Sequence, residues 1–372
     1  MRRFAVVPAA LALILVAAAP AAATADVTRS LKGEIAPGAA ASWAVENLAG
    51  RMHIVAGSGA AVTATVTVHA ESQALADLIK VEQVTGEKGR MTLRVIYPID
   101  KHGTFRYPGD GKAATNWIGS MFGGNNSTME YGGKRVKVSS SSGVLLYADL
   151  EVQVPKNLGD GLLRNYVGRI EAKGVEGKLK FDTASGDLDL QDVAGTIGAD
   201  TGSGDVSISD ARGSLDLDTG SGDITVEGFE GDLLKGDVGS GDIFIRSGMI
   251  TKVDLDTGSG DVHLKASDVE EFLADTGSGD VLIDLGGSRL RKVVASTGSG
   301  DVTLRLSPDA SFEAHFDAGS GDLSNHFTDA VPIVKGREVV GYKRGDGQAK
   351  IDIETGSGDF VLEPGSASAS RR

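Results

Sequence analysis

From residue 179 to residue 362 apolar and polar positions alternate in short runs that recur at a near-constant interval. Four residues ahead of each recurring turn stand Leu179, Ile197, Leu215, Leu234, Val253, Phe272, Val293, Ala314 and Ile351; two ahead stand Phe181, Ala199, Leu217, Gly236, Leu255, Ala274, Ala295, Phe316 and Ile353. Behind the turn come pairs such as Val206/Ile208, Ile224/Val226, Ile243/Ile245 and Val281/Ile283. Alternation of period two predicts strands with one inward face. Between the two runs lies the pentad Thr-Gly-Ser-Gly-Asp or a near variant. It begins at Thr183, Thr201, Thr219, Val238, Thr257, Thr276, Thr297, Ala318 and Thr355, at intervals of 18 to 21 residues except the last, which is 37 and is read as two periods. A degenerate copy, Asn165-Tyr166-Val167-Gly168-Arg169, sits 18 residues before the first.

Self-similarity at this period predicts a solenoid. Two strands with about four inward side chains cannot bury themselves, whereas neighbours stacked in register can. The predicted fold is all-β: a single-stranded parallel β-solenoid with rungs of 18–21 residues over 165–362, stacked about 4.8 Å apart. Eleven rungs, counting Asn165 and an irregular turn near 337, make it roughly 50 Å long. The alternative is an antiparallel β meander in which each Gly-rich turn closes a hairpin. Near-identical copies favour stacking, because equal residues then face equal environments.

Residues 26–164 form an irregular β region that caps the stack. Alternation is clearest over Ala61 to His69 and returns at Met91–Tyr97 and Val144–Val154. Between them runs a long loop, 98–133, holding Phe105, Tyr107, Trp117, Met121 and Phe122. Such loops are often functional, but the open end of a solenoid needs covering, and these aromatics are read as a cap.

Composition then narrows the picture. Glycine is 52 of 372 residues, and the pentads account for much of it. With no cysteine, disulfides, thiolate zinc sites, a Cys nucleophile and a lipid-anchor cysteine are excluded. A formal charge of −14 argues against nucleic acid. Residues 1–25 read as an export signal: Arg2-Arg3, an apolar run from Ala5 to Val16, and Ala23-Thr24-Ala25 as cleavage site. No later stretch has the length and apolarity of a transmembrane helix. Residues 363–372 are a polar tail, and the expected location is periplasmic, extracellular or on the cell surface.

From Trp43 to Leu362 the chain resembles a bacterial β-strand-repeat family named for adhesins. The matching parts are Leu146-Tyr147-Ala148-Asp149-Leu150-Glu151-Val152-Gln153-Val154-Pro155-Lys156, the Gly-rich repeats, and the closing segment Ala349 to Phe360. The resemblance implies a β-solenoid exported to the envelope and carries over no catalytic residue. The loop 98–133 is longer, and the repeats more regular, than that family leads one to expect.

The repeat also aligns carboxylates. One residue before each pentad stand Asp182, Asp200, Asp218, Asp237, Asp256, Asp275, Ser296, Asp317 and Glu354; each pentad ends in Asp187, Asp205, Asp223, Asp242, Asp261, Asp280, Asp301, Asp322 or Asp359. Stacked like charges repel. Two readings offset this. Each Asp can accept turn N–H groups, with Thr and Ser hydroxyls screening its neighbours. Alternatively Ca²⁺ sits between turns, with Asp218, Asp223, Asp256, Asp261, Asp275 and Asp280 as ligand candidates; the calcium-binding nonapeptide motif is incomplete here, which favours the first reading.

No His pair has zinc-protease spacing, no Gly-x-Ser-x-Gly elbow opens a helix, and no phosphate loop is present. Arg344-Gly345-Asp346 is read as a chance triplet within a basic insertion, Lys335 to Arg344, that forms a hairpin against the last rung. The expected function is a non-enzymatic exported protein presenting an acidic surface to an envelope protein or glycan. The alternative is a secreted or periplasmic carbohydrate-active enzyme, which needs acids with Arg or Lys in a groove that interrupts the repeat; no such cluster is expected.

Overall fold

The structure, a computed structural model, describes residues 27–36, 41–109, 126–156, 158–266 and 268–365. The expected export signal, residues 1–25, together with Trp117, Met121, Phe122 and residues 366–372 of the polar tail, lies outside the described residues. Strands dominate; helix among the described residues is confined to short turns at Gln73–Ala76 and Glu87–Gly89.

Each repeat contributes a longer strand before the pentad and a shorter one after it, for example Ala194–Thr201 and Val206–Ser209. Each strand pairs in parallel with its counterpart one period away, residue for residue: Leu179 with Ile197 and then Leu215, Leu188 with Val206 and then Ile224. This is a parallel β-solenoid. The antiparallel meander is set aside, because each repeat strand pairs across the period rather than across its own turn. Inward columns such as Ile197, Leu215, Leu234 and Val253 are buried. Where the interval grows from 18 to 19 residues, the register shifts between Gly213 and Ser214, and Asp232 is the extra residue, a bulge that leaves both inward columns in phase.

The chain departs from sequence order at both ends. Trp43–Ala49 lies in parallel between Asp160–Val167 and Met91–Ile96, and Met52–Gly57 lies between Ile170–Lys173 and Val144–Pro155. Asn47-Leu48-Ala49-Gly50-Arg51 is therefore a rung, stacked on the Asn165 rung. At the other end Ala349–Ser357 pairs with Lys292–Thr297 on one side and Phe312–Ser320 on the other. The Thr355 rung is thus inserted between the Thr297 and Ala318 rungs. The interval of 37 is not two periods, and the eleventh rung is at Asn47, not near 337.

Both ends are closed. Beyond the Asn47 rung, Val144–Pro155, Val62–Ala70 and Val27–Ile35 continue one ladder in antiparallel fashion. A small second sheet of Thr104–Arg106, Asn126–Tyr131 and Lys134–Ser139 brings Phe105, Tyr107 and Tyr131 into the core. Phe105 and Tyr131 meet Tyr97 edge-on at 5.4 and 6.0 Å. The described parts of 98–133 are thus partly strand, and their aromatics face inward. At the far end the hairpin Val331–Lys335/Glu338–Arg344 pairs antiparallel with Phe312–His315.

The second pentad glycine has a steric cause. Gly204 has φ +149°, and a Cβ there would lie 2.2 Å from the Gly186 carbonyl oxygen of the rung below. Gly174 also has positive φ (+68°), but nothing stands within 4 Å of its Cβ position. Gly204→Ala is expected to cost about 3 kcal/mol and Gly174→Ala about 1 kcal/mol, read by chemical denaturation. Equal costs would show that rung contact is not the reason for the turn glycine.

Candidate functional site

The turn ladder is built from the pentads. The Thr side chain points inward, and its hydroxyl donates to the carbonyl of the second glycine in the preceding rung: Thr201 to Gly186 at 2.9 Å, Thr219 to Gly204 at 3.1 Å, Thr276 to Gly260 at 3.1 Å. Each pentad Asp accepts from the backbone N–H of the Asp stacked on it. Asp205 takes Asp223 N–H at 3.0 Å, Asp242 takes Asp261 at 2.8 Å, Asp261 takes Asp280 at 2.8 Å, and Asp359 takes Asp322 at 2.8 Å. The carboxylates therefore accept N–H groups as expected, but from the next rung rather than from their own turn. The Thr hydroxyls do not screen them; they bind carbonyls inside.

The outer column, one residue before each pentad, has no such ladder. At its N-terminal end charges alternate. Arg94 holds buried Glu46 at 2.7 Å, Arg164 is in register between Glu46 and Asp182 and bonds Asp182 at 3.0 Å, and Lys180 bonds Asp200 at 2.8 Å. Asp218, Asp237, Asp256 and Asp275 then stack directly on one another. The carboxyls of Asp218 and Asp256 are raised above their ordinary values, first by partial burial and next by the neighbouring column carboxylates. Ser296 interrupts the column before Glu354 and Asp317.

The calcium candidates divide between the two columns: Asp218, Asp256 and Asp275 in the outer one, Asp223, Asp261 and Asp280 in the turn ladder. Among the described residues no group of three or more His, Asp or Glu side chains assembles as a metal site. The turn carboxylates contact the backbone N–H groups of the next rung.

Sequence reasoning missed two things here. The first is the Asn47 rung, although its Asn-x-x-Gly-Arg pattern repeats at Asn165–Arg169. Both asparagines occupy the inward Thr position: Asn165 Nδ2 donates to Gly50 O at 2.7 Å, and Asn47 Nδ2 to Ala148 O at 2.8 Å. The second is a groove of about 390 Å³ on the outer face at the same place, lined by His53, Arg169, Glu171, Lys173, Asp189 and Gln191 among others. Arg169 stands where later rungs have the pentad Asp, and its guanidinium reaches Asp187 at 2.9 Å, Asp189 at 3.2 Å and Glu171 at 3.8 Å. Burial raises the Asp189 carboxyl; Arg169 opposes this, and Asp187 and Glu171 add to it. Acids and a base thus meet in a groove, but over an unbroken ladder, since Ile170–Lys173 pairs residue for residue with Leu188–Gln191 and the groove does not interrupt the repeat. The substitution of Arg for Asp was the available signal.

Arg344 of the Arg-Gly-Asp triplet is committed elsewhere: it bonds Asp329 and Ala310 O, each at 2.6 Å, and covers the Phe327 ring at 5.1 Å.

The fold and its ladders define an all-β protein of the solenoid kind. The chain belongs to the Toastrack DUF4097 family, whose model matches residues 132–363. Among solved structures it is similar to a "putative adhesin" from Parabacteroides distasonis (12% identity, covering 90% of this chain and 97% of that one, TM-score 0.43). It is also similar to one from Parabacteroides merdae (10% identity, 90% and 96%, TM-score 0.39). No curated protein matches the chain. No helix among the described residues is long and apolar enough to cross a membrane.

The unpaired stretch of the outer column gives a pH prediction. A carboxyl raised in the folded state disfavours folding above its folded value, and the penalty disappears below the unfolded value, near 3.8. Asp256→Asn should therefore stabilise the protein at pH 7 in low salt by about 0.5 kcal/mol, with the gain vanishing by about pH 3 and shrinking, as the repulsive part is screened, in high salt. Thermal melts across pH read this; a gain that persists in acid would place its origin outside the column.

Proposed function

We propose that this is a non-enzymatic exported protein of the cell envelope, an adhesin-like rod whose acidic face meets a protein or glycan partner outside the cytoplasm. The observation that carries the reading is the unpaired stretch Asp218, Asp237, Asp256 and Asp275. At the N-terminal end of the same column each acid has a basic partner one rung away, whereas in the middle Lys180 and Lys235 only partly offset the raised carboxyls of Asp218 and Asp256. Like charges in direct register destabilise a sheet. A regular surface of one sign steers and selects partners of the opposite sign.

The test is capture from envelope fractions on immobilised protein, comparing the native chain with the fourfold Asp→Asn variant at 218, 237, 256 and 275. Partners should be retained by the native chain, released by salt, and lost about tenfold or more by the variant. Equal capture by both would overturn the acidic-face reading.

The groove at Arg169 favours one second reading, a carbohydrate-active enzyme, with Asp189, whose carboxyl burial raises, as the acid and Glu171 as its carboxylate partner. Glycan cleavage by the native chain that Asp189→Asn abolishes would replace the first reading with this one.

A further inference from the structure

The hairpin closes the C-terminal end only in part. On its inner side the last long strand pairs from Phe312 to Ser320 with Ala349–Ser357. On its outer side Glu338–Arg344 covers Phe312–His315 alone, and the pairing stops at His315 opposite Gly341. Beyond the turn, Leu323–Asn325 pairs with Phe360–Leu362 and with no strand on its other side among the described residues. An edge that runs from Phe316 through the pentad turn to Asn325 is therefore without a partner strand. Phe316 shows the opening: Ala295 and Ile353, its neighbours in the inward column, are buried, and it is only half-buried.

The inner rungs show what this edge would bind. There the second glycine donates its N–H to the serine carbonyl of the next rung, Gly260 to Ser278 at 3.0 Å. The carbonyl that opens the pentad accepts from the first glycine of the next rung, Thr257 from Gly277 at 3.1 Å. The carboxylate takes the next Asp N–H, Asp261 from Asp280 at 2.8 Å. The equivalents in the last rung are the Gly321 N–H, the Ala318 carbonyl and the Asp322 carboxylate. Asp322 gives its own N–H to Asp359 at 2.8 Å, and no rung lies beyond to return one. These three residues line a hollow of about 860 Å³ whose other wall is the diverging hairpin, at Glu338, Val339 and Val340. An added strand finds backbone groups along the edge and room for its side chains in the hollow.

Charge selects the occupant. The hairpin's outer strand is also an edge, but Pro332 and Lys335 blunt it. From Phe316 to Asn325 there is no proline, lysine or arginine, and the only charges are Asp317 and Asp322. Around them the hollow adds Glu338, Asp352 and Glu354 against Lys335, while His315 in its wall is turned to Glu313 at 3.4 Å. An acidic strand laid here meets like charges, and a basic one meets the opposite sign.

We propose that the edge 316–325 is a strand-addition site for a basic, extended segment of a partner protein, which lies between the last rung and the hairpin and gives an N–H to the Asp322 carboxylate. This goes beyond the acidic-face reading, which rests on Asp218 to Asp275, and does not depend on it. The probe is a fluorescent peptide of about eight residues alternating valine and lysine, titrated into the protein and followed by anisotropy. It should bind, and a copy with glutamate in place of lysine should not. A backbone N-methylated copy keeps the charge but cannot pair, and should bind about tenfold or more weakly. Asp317→Asn/Asp322→Asn should weaken the lysine peptide about tenfold and leave the melting temperature in place, since both side chains are exposed. Hydrogen exchange at the Gly321 amide should slow when the peptide is bound. Absence of binding, equal binding of the N-methylated copy, or binding that leaves Gly321 exchange unchanged overturns the proposal. So does a concentration-dependent dimer that the peptide dissociates, which would assign the edge to a second copy, or binding seen only after removal of residues 366–372, which would assign it to the chain's own tail.

Discussion

Parallel stacking in register is the constraint from which the rest of the molecule follows. When a strand pairs with its counterpart one period away, every side chain meets its own equivalent about 4.8 Å above and below. For an inward Leu or Val this is favourable: a column of like apolar groups is a continuous core, buried without any helix. For a turn glycine it leaves no room, because the carbonyl of the rung below occupies the place a Cβ would take. For an ionised Asp it is a repulsion repeated along the stack. The pentad handles the three cases at once. Glycine keeps the corner thin, Thr turns inward to satisfy the glycine carbonyl, and Asp turns outward to receive the next Asp N–H.

The same constraint explains the ends. A solenoid that simply stopped would expose two unpaired strands and a cross-section of core. At the N-terminal end the chain changes from parallel to antiparallel pairing and lays aromatic side chains over the opening. Asparagine, which can donate to two carbonyls, takes the place of Thr there and ties the Asn47 and Asn165 rungs to each other at 3.0 Å. At the C-terminal end the last strands pair on both sides, so Ala349–Ser357 is not an edge. The unpaired edges there include the hairpin's outer strand, where proline and lysine blunt it, and the three-residue strand Leu323–Asn325, which pairs only with Phe360–Leu362.

What could be read in advance tracks what repeats. The pentads, their period and the alternating strands were legible because each copy supports the others, and parallel pairing followed from their likeness. The inward Thr falls on the same phase as the apolar residues two and four positions before it, but its partner was not legible, since the glycine carbonyl it binds lies in a neighbouring rung 15 or more residues away. The Asn47 rung was hidden because 118 residues separate Asn47 from Asn165, and a period cannot be seen across such a gap. The order Thr297, Thr355, Ala318 was beyond sequence for a related reason. Two rungs of equal composition can stack either way round, and the hairpin between them, not the pentads, decides which comes outermost. The outer carboxylates were all located, but whether each had a partner depended on which side chains came into register from distant rungs, such as Glu46 and Arg94 beside Arg164.

The distribution of charge is then informative where it departs from neutrality. Arg94, Arg164 and Lys180 show that a basic residue is tolerated in or next to the outer column. Arg169 shows the same for the turn ladder, where it bonds Asp187 at 2.9 Å and so gives the first Asp of that ladder a cation. The two columns therefore begin on arginine and run on as aspartate. The turn ladder can do so at little cost, because each carboxylate has an N–H to bind. The outer column has no equivalent donor, and its middle carries the raised carboxyls of Asp218 and Asp256. Stacking does not require that stretch, since Ser296 fills the same position three rungs beyond Asp237 without disturbing the ladder. The acidic stripe is thus a property of the surface rather than of the fold.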